Sequence, residues 1–120
     1  KIEKMLPNLI KTVKSMDVPV LWVCDPMHGN TETSSNGRKT RRFSKITKEL
    51  KKAFKIHEQA GSYLGGVHLE LTGENVTECT GGARGLVDDD LEKAYKTSVD
   101  PRLNYEQAME IAFDIGGFSD

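Results

Sequence analysis

The strongest constraint on the fold is a short apolar run that lies between two amphipathic segments. Residues 18–24 form this run, which is followed by Asp25 and Pro26, as is typical of a strand buried on both faces of a parallel sheet. Residues 2–13 before the run and residues 43–60 after it repeat their apolar side chains at helical spacing. The first half of the chain is therefore predicted to fold as helix, strand and helix.

A second strand is predicted where apolar and polar side chains alternate. Residues 67–72 alternate strictly, which places His68 and Glu70 together on the polar face of that strand. Residues 73–101 then form a long connection rich in Gly and Asp, with one helical turn expected near residues 88–95. Connections of this length without regular structure tend to be functional.

The last helix is predicted to begin at Asn104 and to end at Gly116 and Gly117. Gln107 follows Asn104 by three residues, which resembles a capping box at a helix start. The glycine pair is expected to stop the helix because glycine is a poor helix former and is frequent just after helix ends. Residues 29–42, by contrast, show no apolar period and are predicted to form a loop.

This order of elements indicates an α/β fold, because alternating strands and helices are typical of a parallel sheet or barrel. A complete (β/α)8 barrel takes about 250 residues. The chain has 120 residues, so it could supply only the last two strands of such a TIM barrel, with their helices. It is therefore expected to be incomplete as a stand-alone barrel.

Composition favours a soluble globular class, with 37% hydrophobic and 29% charged residues. No apolar run approaches the roughly 18 residues of a membrane span, and the N-terminal segment lacks the apolar core of a signal peptide. A cytoplasmic protein without a membrane partner is therefore predicted. Cys24 and Cys79 are expected to remain thiols in that reducing compartment.

The charges are distributed unevenly along the chain. Residues 1–58 hold 13 of the 17 Lys and Arg side chains but only 6 of the 18 acids. A basic half can indicate a nucleic-acid partner, but these cations lie mostly on amphipathic sequence without interleaved aromatic residues for base stacking. A solvated helix face is therefore predicted, and no nucleic acid is expected as a partner.

Three side chains are candidate metal ligands. His28 lies just past the first predicted strand, Glu70 lies near the end of the second, and Asp100 ends the long connection. Active sites of parallel α/β folds gather at the C-terminal ends of strands, so His28 and Glu70 are expected to converge. An imidazole with carboxylates suits a divalent metal such as Mn²⁺, Co²⁺ or Zn²⁺. From the residues alone, a loop histidine at position 28 and simple turns at Asp25 and Asp100, each before a proline, remain open.

The segment of residues 37–43 contains four cations close in sequence to the candidate ligand His28. Such a group can hold phosphate or carboxylate through charge-assisted contacts, and a solvated loop is the alternative. His57 is predicted to lie on the exposed side of the lysine-rich helix as a surface residue. His68 shares a strand face with Glu70, where it would support a metal ligand or pack in the core.

Five segments along residues 18–113 resemble the C-terminal part of class II 3-deoxy-D-arabino-heptulosonate 7-phosphate (DAHP) synthases. These segments are residues 22–31 (WVCDPMHGNT), 39–43 (KTRRF), 65–73 (GGVHLELTG), 75–79 (NVTEC) and 100–104 (DPRLN). The order and spacing of all five together carry the resemblance.

The resemblance implies a metal-dependent TIM-barrel transferase that condenses phosphoenolpyruvate with erythrose 4-phosphate and releases phosphate, at the first step of the shikimate pathway to aromatic amino acids. The resemblance further implies that the metal would supply Lewis-acid polarisation of the aldehyde oxygen for attack by the enol carbon. The family's metal site uses a cysteine, a histidine, a glutamate and an aspartate, and the last three fall on His28, Glu70 and Asp100, which would act in catalysis through the metal. The cysteine lies on an early strand outside this chain, and Cys24 and Cys79 belong to other motifs.

The resemblance also makes Lys39, Arg41 and Arg42 candidates for binding the phosphorylated substrates. Residues 1–120 would be the C-terminal fragment of a single TIM-barrel catalytic domain, in a protein that forms homo-oligomers in the cytoplasm, or in the plastid of a plant. The chain alone is expected to be inactive, because one metal ligand and most substrate contacts lie elsewhere. Two alternatives remain: a truncated, non-catalytic relative that self-associates through exposed sheet edges, and a related metal-assisted aldol-type barrel enzyme that uses another aldehyde.

Overall fold

The computed structural model describes residues 1–118, which form a mixed arrangement of helices and short strands. In chain order these are α1 (Ile2–Ser15), β1 (Trp22–Cys24), a 3-10 turn (His28–Asn30), β2 (Thr31–Thr33), β3 (Lys39–Arg41), α2 (Phe43–Ala60), β4 (Leu64–Val67), a second 3-10 turn (Asp88–Glu92) and α3 (Tyr105–Phe118). The predicted α/β class, the three helices and the helical turn near residues 88–95 are confirmed. Residues 119 and 120, the last two of the predicted fragment 1–120, lie outside the described residues. Of the helices described, none is long and apolar enough to cross a membrane.

Strands β1 and β4 pair in parallel, and α2 forms the connection between them. Trp22 pairs with Leu64, and Cys24 pairs with Val67. The predicted span of α2 is confirmed from Phe43 to Ala60, and Gly61 ends it in the left-handed conformation with φ 70°. The parallel strand–helix–strand order that the sequence predicts is therefore present in residues 22–67.

Strand β1 is shorter and more exposed than the sequence predicts. The prediction of a strand over residues 18–24 that is buried on both faces is wrong, because only Trp22–Cys24 pair and Val23 remains 53% exposed. Alternation explains the difference between neighbours: Cys24 packs against the core, whereas Val23 lies on the opposite face of the strand. Leu21 is 76% exposed, so this side of the sheet is uncovered by residues 1–118.

The second strand lies earlier than the alternating pattern indicates. Strand β4 spans Leu64–Val67 rather than residues 67–72. Gly65 allows this close pairing, because a Cβ at that position would lie 2.5 Å from a side-chain carbon of Leu21. The ladder stops after the His68 N–H donates to the Cys24 carbonyl at 2.8 Å, since the first strand turns at Asp25 and the next residue is a proline without an N–H.

The predicted loop over residues 29–42 is wrong, because most of it forms an antiparallel hairpin. Thr31 pairs with Arg41, and Thr33 pairs with Lys39. The connection turns through Gly37, which has φ 83°. All strand residues here are polar, so the hairpin has no apolar alternation to detect, but the Asn-Gly dipeptide at positions 36–37 is a hairpin signal.

Helix α3 begins as predicted and ends later. The Gln107 N–H donates to Asn104 Oδ1 at 2.9 Å, and the Asn104 N–H donates to Gln107 Oε1 at 3.0 Å, which confirms the capping box. The predicted end at residues 116–117 is wrong, because the helix continues through Phe118. Phe118 packs against the core and its ring lies 6.1 Å from that of Phe54, so packing of the last turn outweighs the weak helix preference of glycine.

The core lies between α2, α3 and the loops that precede the helices. Its buried members are Met27, Phe43, Ile46, Leu50, Cys79, Leu103 and Ile111.

The prediction that His57 is a surface residue is wrong: its side chain is 3% exposed, and its Nδ1 lies 2.7 Å from Ser62 Oγ. Helical spacing from Leu50 and Ala53 places His57 on the buried face of α2. Burial lowers the pKa of His57, so the ring is held neutral.

Candidate metal centre

His28 is positioned by the turn that follows β1. Asp25 Oδ1 accepts the backbone N–H groups of Met27 at 2.9 Å and of His28 at 3.2 Å, which fixes a tight turn. Asp25 Oδ2 lies 2.7 Å from His28 Nδ1. When the Nδ1 proton is donated to this carboxylate, the lone pair remains on Nε2, the ring nitrogen on the other side.

Glu70 and Asp100 are brought together by a second contact between distant backbone segments. Leu71 forms a parallel bridge with Leu103. The Leu103 N–H donates to the Glu70 carbonyl at 3.1 Å, and the Thr72 N–H donates to the Leu103 carbonyl at 2.9 Å. The segment that ends with Asp100 and Arg102 therefore lies beside Glu70.

These two arrangements place the three candidate ligands at one site. His28 Nε2 lies 3.6 Å from Glu70 Oε1. One ligand atom each from His28, Glu70 and Asp100 can be chosen so that all lie within 4.8 Å of one another. A second group, Asp25, His28 and His68, meets the same criterion and shares His28 with the first. His68 is exposed, and its ring centroid lies 6.0 Å from that of His28.

Three cations surround the carboxylates. Arg41 is fully buried, with Nη1 bonded to Glu70 Oε2 and to the Pro101 carbonyl at 2.7 Å. Arg102 Nη1 lies 2.6 Å from Glu70 Oε1. Lys39, which is 55% exposed, donates from Nζ to Asp100 Oδ1 at 2.6 Å. We refer to His28, the three carboxylates and these three cations as the charged cluster. Its members are Asp25, His28, Lys39, Arg41, Glu70, Asp100 and Arg102.

The surroundings keep all three carboxylates of the charged cluster ionised. Burial disfavours the anion of Glu70, but hydrogen bonds and charge from Arg41 and Arg102 outweigh it, so its pKa is lowered. The hydrogen bond from Lys39 is the main cause that lowers the pKa of Asp100. Burial also opposes ionisation of Asp25, yet hydrogen bonds from the backbone of Met27 and His28 and from the His28 ring bring its pKa below the ordinary value.

The donor set fits a divalent metal ion. An imidazole nitrogen with its lone pair free and two ionised carboxylates are ligands that Mn²⁺, Co²⁺ and Zn²⁺ accept. The Asp25–His28 pair is the carboxylate–imidazole arrangement that orients metal-bound histidines. Cys24 and Cys79 do not join this set: burial raises the pKa of each to about 12, so both remain neutral thiols.

Arg42 belongs to a different network from its neighbour Arg41. Its Nε donates to Glu32 Oε1 at 3.1 Å, and its Nη1 donates to Thr80 Oγ1 at 3.1 Å and to Asp88. None of these partners is a member of the charged cluster. Of the three cations that the sequence suggests for substrate binding, the structure thus places Lys39 and Arg41 beside the candidate ligands and Arg42 apart from them.

Two members of the charged cluster were not identified as site residues from the sequence. For Asp25 before Pro26 the sequence offers a simple turn, and in the structure Asp25 both forms that turn and holds the His28 ring. Arg102 lies two residues after Asp100, and its guanidinium contacts Glu70. The signal for Arg102 was its place in the segment DPRLN, because a cation beside a candidate ligand is a natural partner for another acidic ligand.

Comparison with known proteins relates most of the chain to one family. A family model described as the Class-II DAHP synthetase family matches residues 1–116. Phospho-2-dehydro-3-deoxyheptonate aldolase AroG of Mycolicibacterium smegmatis is 50% identical over 113 residues, 94% of this chain and 24% of the relative. The phospho-2-dehydro-3-deoxyheptonate aldolases of Neurospora crassa and Streptomyces coelicolor are 54% and 46% identical over 115 and 113 residues, again 94% of this chain. The chain spans 24% and 25% of the length of these two relatives.

Proposed function

Because the chain belongs to the class-II DAHP synthetase family, we propose that the protein that carries it condenses phosphoenolpyruvate with erythrose 4-phosphate and releases phosphate. This is the DAHP synthase reaction, which begins the shikimate pathway to the aromatic amino acids. The observation that supports it best is the convergence of His28, Glu70 and Asp100, with ligand atoms within 4.8 Å of one another. These three side chains would hold the metal.

A divalent ion bound there, Mn²⁺, Co²⁺ or Zn²⁺, would supply Lewis-acid polarisation of the aldehyde oxygen of erythrose 4-phosphate. His28 presents Nε2 because Asp25 holds its other ring nitrogen at 2.7 Å. Glu70 and Asp100 provide anionic oxygens, since the cations around them lower the pKa of both. These contacts would thus orient the His28 ring and keep the two carboxylates ionised for a metal.

The charge balance supports the binding of anionic substrates. The charged cluster contains three carboxylates and three Lys or Arg side chains, so its formal charges cancel when His28 is neutral. A divalent ion would leave the site positive, which would attract the phosphate and carboxylate groups of both substrates. Lys39 is 55% exposed and accessible to a phosphorylated ligand. Arg41 Nη2 is buried, has no hydrogen-bond acceptor among residues 1–118, and lies 3.9 Å from Asp100 Oδ2. Arg41 would therefore act on substrate mainly through the candidate ligands Glu70 and Asp100. Arg42 would support substrate binding indirectly, by holding the β2–β3 hairpin that carries Lys39 and Arg41.

We further propose that β1 and β4 are the last two strands of a (β/α)8 barrel. Their parallel pairing with α2 as the connection fits such a barrel. The exposed apolar side chains of Leu21 and Val23 fit the same proposal, because neighbouring strands and inward-facing side chains would cover them. The charged cluster follows the C-terminal ends of both strands, the end at which barrel enzymes bind substrates.

The test uses the protein that carries this chain, stripped of metal with a chelator and reconstituted with Mn²⁺. We expect phosphate release from phosphoenolpyruvate that requires both erythrose 4-phosphate and the metal. Glu70→Ala should lose most of this activity while the fold is kept. Glu74→Ala, four residues away and exposed, is the matched control and should retain it. Full activity after chelation would exclude the metal role, and phosphate release that does not depend on erythrose 4-phosphate would exclude the proposed reaction.

A further inference from the structure

Glu78 is a buried carboxylate outside the charged cluster. Its side chain is 2% exposed, and no ion pair of Glu78 is found within residues 1–118. A buried carboxylate without a cation is costly unless hydrogen bonds satisfy its oxygens. The partners of Glu78 therefore indicate what it does.

Among residues 1–118, the hydrogen bonds to the Glu78 carboxylate come from the backbone of one later segment. Oε2 accepts the N–H groups of Lys96 at 3.1 Å and of Thr97 at 2.9 Å, and Oε1 accepts the N–H of Arg102 at 2.8 Å. A carboxylate is an acceptor-only group, which suits a site formed by three N–H donors. Glu78 thus fixes residues 96–102 from both ends, and Asp100 lies between these attachment points.

The backbone around Glu78 is attached to the other side of the charged cluster. Thr40 Oγ1 donates to the Glu78 carbonyl at 2.8 Å. The Thr80 N–H donates to the Arg41 carbonyl at 3.0 Å. Residues 78–80 therefore run beside β3, the strand that carries Lys39 and Arg41. Glu78 thus connects β3, which carries the buried Arg41, to the segment that carries the candidate ligand Asp100.

We propose that Glu78 is a positioning residue, whose carboxylate sets the place of Asp100 and Arg102 relative to Glu70 and thereby sets the metal affinity of the site. This inference rests on the proposed function, because it assigns Glu78 a role toward the proposed metal. Within residues 1–118, the side chain of Glu78 forms no hydrogen bond or ion pair with the side chains of His28, Glu70 or Asp100. It therefore acts through the backbone of residues 96–102.

The test measures metal affinity and does not depend on turnover. Mn²⁺ is titrated into the metal-free protein that carries this chain, and free Mn²⁺ is followed by electron paramagnetic resonance. In Glu78→Gln the amide oxygen can still accept hydrogen bonds, but the NH2 group that replaces the other oxygen cannot. At least one backbone N–H of residues 96–102 therefore loses its acceptor. We expect the Mn²⁺ dissociation constant to rise by about 10- to 100-fold, as for other groups that orient metal ligands. Circular dichroism and thermal unfolding establish that the variant is folded at the temperature used.

Glu110→Gln is the matched control. Glu110 lies in α3, and its Oε2 accepts the Ala83 N–H at 2.8 Å, so its carboxylate, like that of Glu78, accepts a loop amide. That loop carries no member of the charged cluster. The Glu110→Gln variant should bind Mn²⁺ like the wild type. Equal weakening in both variants would overturn the inference, because the effect would then be a general loss of stability.

The outcomes separate the inference from its premise. If the wild-type protein binds no Mn²⁺, the proposed metal site and the inference both fail. If the wild type binds and folded Glu78→Gln binds equally well, the positioning role is overturned and the proposed function stands. Should Glu78→Gln not fold, the same titration is made on Glu78→Asp, which keeps the charge but shortens the reach, and unchanged affinity there would also overturn the inference.

Discussion

Arg41 and Arg42 are neighbours in sequence, yet they belong to regions of different character. Arg41 is fully buried against Glu70 and the Pro101 carbonyl, whereas the side chain of Arg42 is 24% exposed between Glu32 and Asp88. The two side chains diverge because Arg41 ends β3 and Arg42 is the N-cap of α2. In the sequence they belong to one group of cations. In the structure, Arg41 lies in the candidate metal centre and Arg42 lies in a network near the surface.

The comparison teaches that burial, more than charge, decides what each arginine does. Removing a buried cation leaves an acid without its partner in a region that water does not reach well. Removing a partly exposed cation leaves acids that water can solvate. Substitutions in the two networks are therefore expected to differ in their effect on stability.

The largest effect is expected for Arg41→Met. The substitution leaves the 16% exposed side chain of Glu70 with Arg102 as its remaining guanidinium partner, and it removes the donor to the Pro101 carbonyl. We expect the free energy of unfolding, from urea titration at neutral pH, to fall by about 3 to 5 kcal/mol. A loss no greater than that of Arg42→Met would remove the distinction between the two regions.

An intermediate effect is expected for Arg42→Met, with a loss of unfolding free energy roughly a third of that of Arg41→Met. This variant should also change the response to acid. The hydrogen bond from Arg42 is the main cause that lowers the pKa of Asp88. A carboxylate whose pKa is lower in the folded state contributes stability above its ordinary pKa and loses it as the pH falls through the folded value. Urea titrations from pH 5 to pH 2 should therefore show a flatter decline for the variant, and parallel curves would contradict this.

The smallest effect is expected for Lys39→Met, although Lys39 belongs to the same cluster as Arg41. Its ion pair with Asp100 is exposed on the lysine side, and exposed pairs contribute little to stability. The unfolding free energy should change less than in either arginine variant, and the difference from wild type should vanish in about 0.5 M NaCl because salt screens exposed charges. A loss that matches Arg41→Met and resists salt would show that membership of the cluster, rather than burial, sets stability.

Periodicity predicted the elements that pack against an apolar core. Helix α2 and the capping box of α3 follow from local patterns, since Leu50 and Ala53 repeat at helical spacing and Asn104 caps its own helix through Gln107. The β2–β3 hairpin was missed because its pairing is stabilised by backbone bonds between polar residues, which leave no apolar pattern. His57 was misplaced because its lysine-rich neighbours obscured a spacing that puts it on the buried face.

The candidate ligands could be proposed from the sequence, but their supporting contacts could not. His28 and Glu70 follow strands, so a parallel fold predicts that they lie near each other. The contact of Arg102 with Glu70 depends on a bridge between residues 71 and 103, and no local pattern encodes that pairing. Glu78 resembles any other acid in a polar segment until its burial and its three amide donors are known.

The bridge between residues 71 and 103 has a consequence for the order in which the chain folds. His28 and Asp25 meet within one turn, but Glu70 follows His28 by 42 residues and Asp100 follows Glu70 by another 30. Closing such loops costs chain entropy before any contact compensates for it. A partly folded chain therefore presents the local histidine–aspartate pair without the distant acids, and strong metal binding at the proposed site would be a property of the completed fold. The ion would then stabilise the native state alone, so that free metal concentration shifts the folding equilibrium.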